Sequence, residues 1–247
     1  MAAIPAGRGR PGARAGQAGS AGPAPPRLVI FDCDGVLVDS EPLAIRVLAD
    51  TIAAAGVTIP LDDCYRLFLG QSLATTTALL HRDHGIDLSD ADLTRMRQKL
   101  FTVFRKELRP IPGILEVLQF LELPICVASS SQLDRIRLAL NVTGLLPAFK
   151  PHIFSASMVA HGKPAPDLFL YAAERMQIAP QLCLVIEDSP AGIEAAQRAG
   201  MAVIGFTGGG HAKTDSHRKA LEALHPLTVV DDMTELLRFL QGALSGS

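Results

Sequence analysis

Leu28-Val29-Ile30-Phe31 is an unbroken apolar run rich in branched side chains, and it predicts a strand buried on both faces of a parallel sheet. The run stops at Asp32-Cys33-Asp34-Gly35. Downstream the periodicity becomes helical. Pro42 to Ala55 places Ile45, Leu48 and Ile52 on one face and ends at Gly56, a C-cap residue. A second helix is predicted from Ser72 toward Arg82. A third starts at Ser89, with Asp92 three residues on as a capping-box variant, and stripes Leu93, Met96, Leu100 and Val103 along one side. Pro110 and Pro112 close this series, so residues 42–108 read as an all-helical insert.

From residue 111 helix and strand alternate. Pro112 opens a helix through Leu121, and Ile125 to Ala128 is a strand running into Ser129-Ser130-Ser131. A helix to Leu140, a strand His152–Ser155 and a helix Asp167–Met176 follow. Leu182 to Ile186 is a fully apolar strand ending in Glu187-Asp188, after which Ser189 and Pro190 start a helix to Arg198 that Gly200 ends. Strands at Ala202–Phe206 and Leu227–Val230 and a helix from Asp231 complete the chain. This alternation predicts an α/β fold, a parallel sheet with helices on both faces.

Composition narrows the function without choosing it. Of 247 residues, 48% are hydrophobic and 19% charged, ordinary for a globular protein. Residues 1–26 differ: they are mainly Ala, Gly, Pro and Arg with no acidic residue, and are expected to be disordered. A net charge of -2 with scattered Lys and Arg gives no footprint for nucleic acid. No apolar run reaches the roughly 18 residues that span a bilayer, so no membrane is expected. The cysteines Cys33, Cys64, Cys126 and Cys183 form no C-x-x-C pair; buried free thiols in a cytoplasmic protein are expected. The chain is expected to be a monomer or a weak homo-oligomer.

The chemistry lies where strands end. In a parallel sheet all carboxyl ends share one edge, where open α/β folds bind ligands, so Asp32, Asp34, Ser129, Ser130, Glu187 and Asp188 would converge there. A carboxylate pair suits Mg2+, which takes one or two carboxylates and leaves positions for water and phosphate. Hydroxyls and N–H groups opening a helix after Ser129 and Ser130 can bind phosphate oxygens, and Lys163 can meet both carboxylate and phosphate. Each feature alone also has a purely structural reading. Ser131 with Asp134 can cap a helix, Lys163 can be a solvated loop lysine, and Glu187-Asp188 can be a helix start.

Together, Asp32-Cys33-Asp34-Gly35, Ser129, Lys163-Pro164 and Glu187-Asp188-Ser189-Pro190-Ala191-Gly192 resemble the four motifs of the haloacid dehalogenase superfamily, in its phosphatase and phosphomutase branch with a helical cap. The resemblance runs from Arg27 onward. It implies a Rossmann-like doubly wound core, residues 27–41 plus 109–247, an inserted cap, residues 42–108, and Mg2+ as cofactor. It also implies that Asp32 is a nucleophile that becomes phosphorylated and Asp34 the general acid/base, needing a proton near neutral pH. By the same resemblance Asp34 lends a carbonyl to the metal, Ser129, Ser130 and Lys163 bind the phosphoryl group, and Asp188 ligates the metal beside Glu187. Gly70, Gln71 and Ser72 resemble the cap loop that contacts the rest of the substrate. Asp34 argues against dehalogenation, which needs no leaving-group acid. Ala44 stands where many relatives carry His, which favours hydrolysis of a small organophosphate, such as a sugar phosphate, over the mutase alternative. A non-catalytic phosphometabolite binder is the reading from another class, and it leaves the Asp32 nucleophile without use. Hinges are expected near Ser40 and Arg109.

Overall fold

The computed structural model describes residues 25–69, 73–212 and 214–245. The extension at residues 1–24 and the expected substrate contacts Gly70, Gln71 and Ser72 lie outside them.

Six parallel strands form one sheet in the order β3-β2-β1-β4-β5-β6: β1 (Leu28–Phe31), β2 (Ile125–Ser129), β3 (Ile153–Ser155), β4 (Cys183–Glu187), β5 (Ala202–Phe206) and β6 (Thr228–Val230). This is the doubly wound order, and its direction reverses at β1, whose neighbours are β2 and β4. The apolar run that begins the fold is therefore its central strand. All four of its residues are fully buried, and strand alternation sends them to two cores. Val29 and Phe31 join Val127, Phe149 and Ile186 on one side; Leu28 and Ile30 join Cys126, Phe169 and Val185 on the other.

Between β1 and β2 the chain is helical: α1 (Glu41–Ala54), α2 (Leu61–Phe68), α3 (Leu73–His84), α4 (Asp90–Glu107) and α5 (Ile114–Phe120). The first three share a separate core of Ile45, Leu48, Ile52, Cys64, Phe68 and Leu80, against which Met96 of α4 packs. Ser89 and Asp92 make the capping box at α4. The connections into and out of this helical segment run side by side, with Asp39 N–H donating to Arg109 O at 3.1 Å and Ile111 N–H to Leu37 O at 3.0 Å.

The remaining helices are α6 (Leu133–Val142), α7 (Leu146–Phe149), α8 (Asp167–Met176), α9 (Pro190–Arg198), α10 (Asp215–Glu222) and α11 (Met233–Ser245). Four differ from expectation, the single-turn α7 among them. Helix α5 starts at Ile114 because Gly113, at φ 86°, sits at its N-cap. Helix α2 carries Leu61, Cys64, Tyr65 and Phe68 at i, i+3, i+4 and i+7, a helical period that the expectation omitted, whereas α10 buries only Leu221, too few apolar positions to set one. All four cysteines are buried and unpaired. Among the described residues, no helix is long and apolar enough to cross a membrane.

Candidate active site

The site is built outward from the end of β1. Asp32 stays on the sheet for one more residue, its N–H donating to Ile186 O at 3.0 Å. Alternation then buries Cys33 completely in the core and turns Asp32 and Asp34 to the opposite side. Gly35, at φ 84°, turns the chain, and a Cβ there would overlap the Asp188 carboxylate. Glycine is required on both counts. The turn thus sets the β1 acids beside the acid that follows β4.

Lys163 is no solvated loop lysine: its side chain is 3% exposed. Its ammonium donates to Asp32 Oδ1 at 2.6 Å, to Ala128 O at 3.0 Å, and to Glu187 Oε1. It also lies 4.8 Å from the centroid of Phe169. Burial would pull its pKa down, but Asp32 and Glu187 outweigh that and raise it, so it is a fixed cation. Asp32 goes the other way. Burial drives its pKa well above the ordinary carboxylate range; Lys163 opposes this, while the charges of Glu187, Asp188 and Asp34 add to it. One ammonium between two carboxylates leaves Asp32 under-compensated.

Glu187, expected among the metal ligands, has another task. Its Oε1 meets Lys163, and its Oε2 accepts from Ser189 N–H and Oγ, both at 2.9 Å, at the start of α9. It holds the lysine and the helix N-terminus, which the positive end of the helix dipole favours.

Asp34, expected to carry a proton near neutral pH, is surrounded by donors in this arrangement. Its Oδ1 accepts from Ser40 Oγ at 2.5 Å and from Arg135 at 2.8 Å, and its Oδ2 from Ser131 Oγ at 2.6 Å. Burial alone would raise its pKa, but the Arg135 charge and the two hydroxyls bring it below the ordinary value. These contacts also correct the expected capping of α6 by Ser131. Ser40 stands before α1 and makes no cap hydrogen bond, and Gln132, not Ser131, occupies the N-cap of α6. Both hydroxyls serve Asp34 instead. Arg135 reaches 3.9 Å from Glu41 as well and lies 5.5 Å from the centroid of Phe104, so it touches both ends of the helical segment.

Ser129, at the end of β2, is buried; its Oγ accepts from Ser131 N–H at 3.1 Å, which leaves its own proton for another acceptor. Ser130 is exposed beside it. Asp188, 6% exposed, is met by His211 Nε2 at 2.9 Å from Oδ2. Burial works against a proton on His211, yet the Asp188 hydrogen bond and charge, with Glu41 and Asp39 behind, raise its pKa. Arg135 and His211 escaped the sequence reading. A basic residue on an amphipathic helix reads as a solvated face, whereas the glycines at 208–210, directly after a buried strand, were a usable signal of close backbone packing.

Buried acids at adjoining strand ends, one fixed ammonium and a donor hydroxyl form a place where an anion such as phosphate can be attacked by a carboxylate. Known proteins similar to this chain are hydrolases and phosphatases. A family model described as a haloacid dehalogenase-like hydrolase matches residues 26–200. The chain is 29% identical to 6-phosphogluconate phosphatase of Escherichia coli K12 over 198 residues, 80% of this chain and 90% of that one. Of solved structures, a conserved haloacid dehalogenase-like protein of Agrobacterium tumefaciens aligns with TM-score 0.78 at 34% identity, covering 89% of this chain and 99% of that one. A solved structure described as a β-phosphoglucomutase of Thermotoga maritima aligns with TM-score 0.73 at 28% identity, covering 87% of this chain and 99% of that one.

Proposed function

The chain belongs to the haloacid dehalogenase-like hydrolases and is a phosphatase of that family; from this we propose that it hydrolyses a small sugar phosphate, with Mg2+ bound, through a phosphorylated Asp32. The observation that carries the reading is the Lys163 ammonium 2.6 Å from Asp32 Oδ1, both buried at the carboxyl edge of the central strand. A nucleophile, and the cation that would hold the oxygens of its target, are in contact before substrate arrives.

The residues fit a hard cation. Among the described residues no three His, Cys, Asp or Glu side chains form a ready cage. The groups that would hold it are the carboxylates of Asp32 and Asp188, with the Asp34 carbonyl that the family resemblance adds, a count usual for magnesium. The under-compensated charge on Asp32 favours such an ion. When bound, Mg2+ supplies neutralisation of phosphoryl and carboxylate charge.

An Asp32 oxygen attacks phosphorus and the bond to the sugar oxygen breaks, giving an aspartyl phosphate and an alkoxide that takes a proton from Asp34. Water then attacks phosphorus, its proton returns to Asp34, and Asp32 is restored with inorganic phosphate released. Lys163 and Ser129 hold the phosphoryl oxygens. Asp34 as described is the carboxylate, ready to accept the proton of the water. To act as the acid it must give up Ser131 or Arg135, and the contacts of Arg135 with Glu41 and Phe104 place that exchange at the junction with the helical segment. We assign residues 42–108 as the cap, with hinges at the paired connections near Ser40 and Arg109.

The test is phosphate release from a panel of sugar phosphates, 6-phosphogluconate among them, with and without EDTA. Turnover should fall on the order of 10²-fold or more in EDTA and return with Mg2+, the several kcal/mol that metal charge stabilisation supplies. Metal-independent turnover, or none across the panel, would contradict the reading. Faster interconversion than hydrolysis of a bisphosphate-primed sugar phosphate would make it a mutase.

A further inference from the structure

The stretch Thr207-Gly208-Gly209-Gly210-His211 follows β5 and has no part in the chemistry above. Its backbone is pressed against the turn that carries the two acids. A Cβ on Gly209 would lie 2.9 Å from Gly35 O, and one on Gly210 would lie 2.9 Å from Asp39 Oδ2. Gly210 N–H donates to Asp39 Oδ1 at 2.9 Å. Backbone this close needs residues without side chains.

The close approach delivers the His211 ring to Asp188. Nε2–H donates to Asp188 Oδ2 at 2.9 Å, with side-chain exposures of 5% and 8%. A second ring, His217 at the start of α10, donates from Nε2 to the main-chain oxygen of Asp188 at 2.7 Å and meets His211 edge-on, centroids 5.7 Å apart. Asp188 is thus gripped through side chain and backbone by two histidines of one loop and helix. The other nitrogen of His211, Nδ1, is buried and has no hydrogen-bond partner among the described residues. Leaving a buried nitrogen unpaired is costly, so the ring's own bonding does not account for its pose. The bond to Asp188 does.

We infer that His211, braced by His217, is a positioning residue for the divalent cation: by occupying Oδ2 it fixes the orientation in which Asp188 offers its carboxylate to the ion. Partners that hydrogen-bond a ligating carboxylate orient it, and losing one typically costs about 10- to 100-fold in metal affinity. The inference rests on the Mg2+-dependent reading above.

Titration calorimetry of MgCl2 into the full-length protein separates the two. The wild type should bind, His211→Ala about 10- to 100-fold more weakly, and His211→Gln close to wild type, because its amide N–H stands where Nε2 does. His211→Asn, whose amide matches Nδ1 instead, should resemble His211→Ala. Equal or tighter binding by His211→Ala, or a His211→Gln as weak as His211→Asn, overturns the positioning role and leaves the phosphatase reading intact. A wild type that binds no Mg2+ overturns both. If His211→Ala does not fold, the Gln and Asn pair decides.

Discussion

Asp32→Asn is expected to remove phosphate release altogether, a loss on the order of 10⁴-fold or more, while the protein stays folded. Losing a covalent nucleophile removes the reaction path itself, and such losses reach about 10⁶-fold in well-studied hydrolases. The stability effect should go the opposite way. Burial and three neighbouring acids raise the Asp32 pKa, so its ionised form is disfavoured in the folded state at neutral pH. An isosteric amide removes that penalty and leaves Lys163 paired with Glu187. The thermal midpoint at pH 7 should therefore be no lower than wild type, checked by calorimetry beside the phosphate assay. A destabilised Asp32→Asn would mean that Asp32 is there for structure; stability given up for a reacting group is the pattern of an active site.

Lys163→Met should fail on both counts. Without its ammonium, Asp32 and Glu187, whose side chains are 9% and 1% exposed, face each other with no cation between them. Removing one partner of a buried ion pair costs about 3–5 kcal/mol, and removing a preorganised hydrogen-bond donor to the phosphoryl oxygens about 10²- to 10³-fold in kcat. The pH dependence has a definite sign. In the wild type the Lys163 pKa is raised on folding, so its contribution is fully present below the unfolded value, about pH 10, and is lost as pH rises through the folded one. In the variant the Asp32 pKa, already raised, climbs further. A raised carboxylate makes the folded state bind more protons than the unfolded, so stability increases as pH falls through the folded value toward the unfolded value near 4. Urea midpoints should therefore show the largest gap between variant and wild type above neutral pH and a narrower one on the acid side.

The sheet was readable because each of its central strands is a short apolar run with a polar stop. β1 and β4 begin at or one residue from where composition places them, and Ser189 caps α9 as its spacing implies, accepting from Gly192 N–H. Elements with little to bury were not readable: α10 buries one apolar residue and α7 is a single turn, whereas α2 carries a legible stripe of Leu61, Cys64, Tyr65 and Phe68. The same division runs through the site. Groups at strand ends could be assembled from the parallel topology alone. Their partners could not: Arg135 reaches Asp34 from 101 residues away, and only packing of α6 against the sheet and α4 brings it there. So the sequence located Asp34 and Glu187 but not the partners of each carboxylate, which are Ser40, Ser131 and Arg135 for the first and Lys163 and Ser189 for the second.

The central claim is that Asp32 carries the phosphoryl group. The most direct measurement is to quench turnover in acid, reduce with borohydride and map the peptides by mass spectrometry. An acyl phosphate at Asp32 would be reduced to homoserine at that position, in a substrate-dependent manner and absent from Asp32→Asn. Turnover with an unmodified Asp32, or homoserine at another acid, would contradict the account.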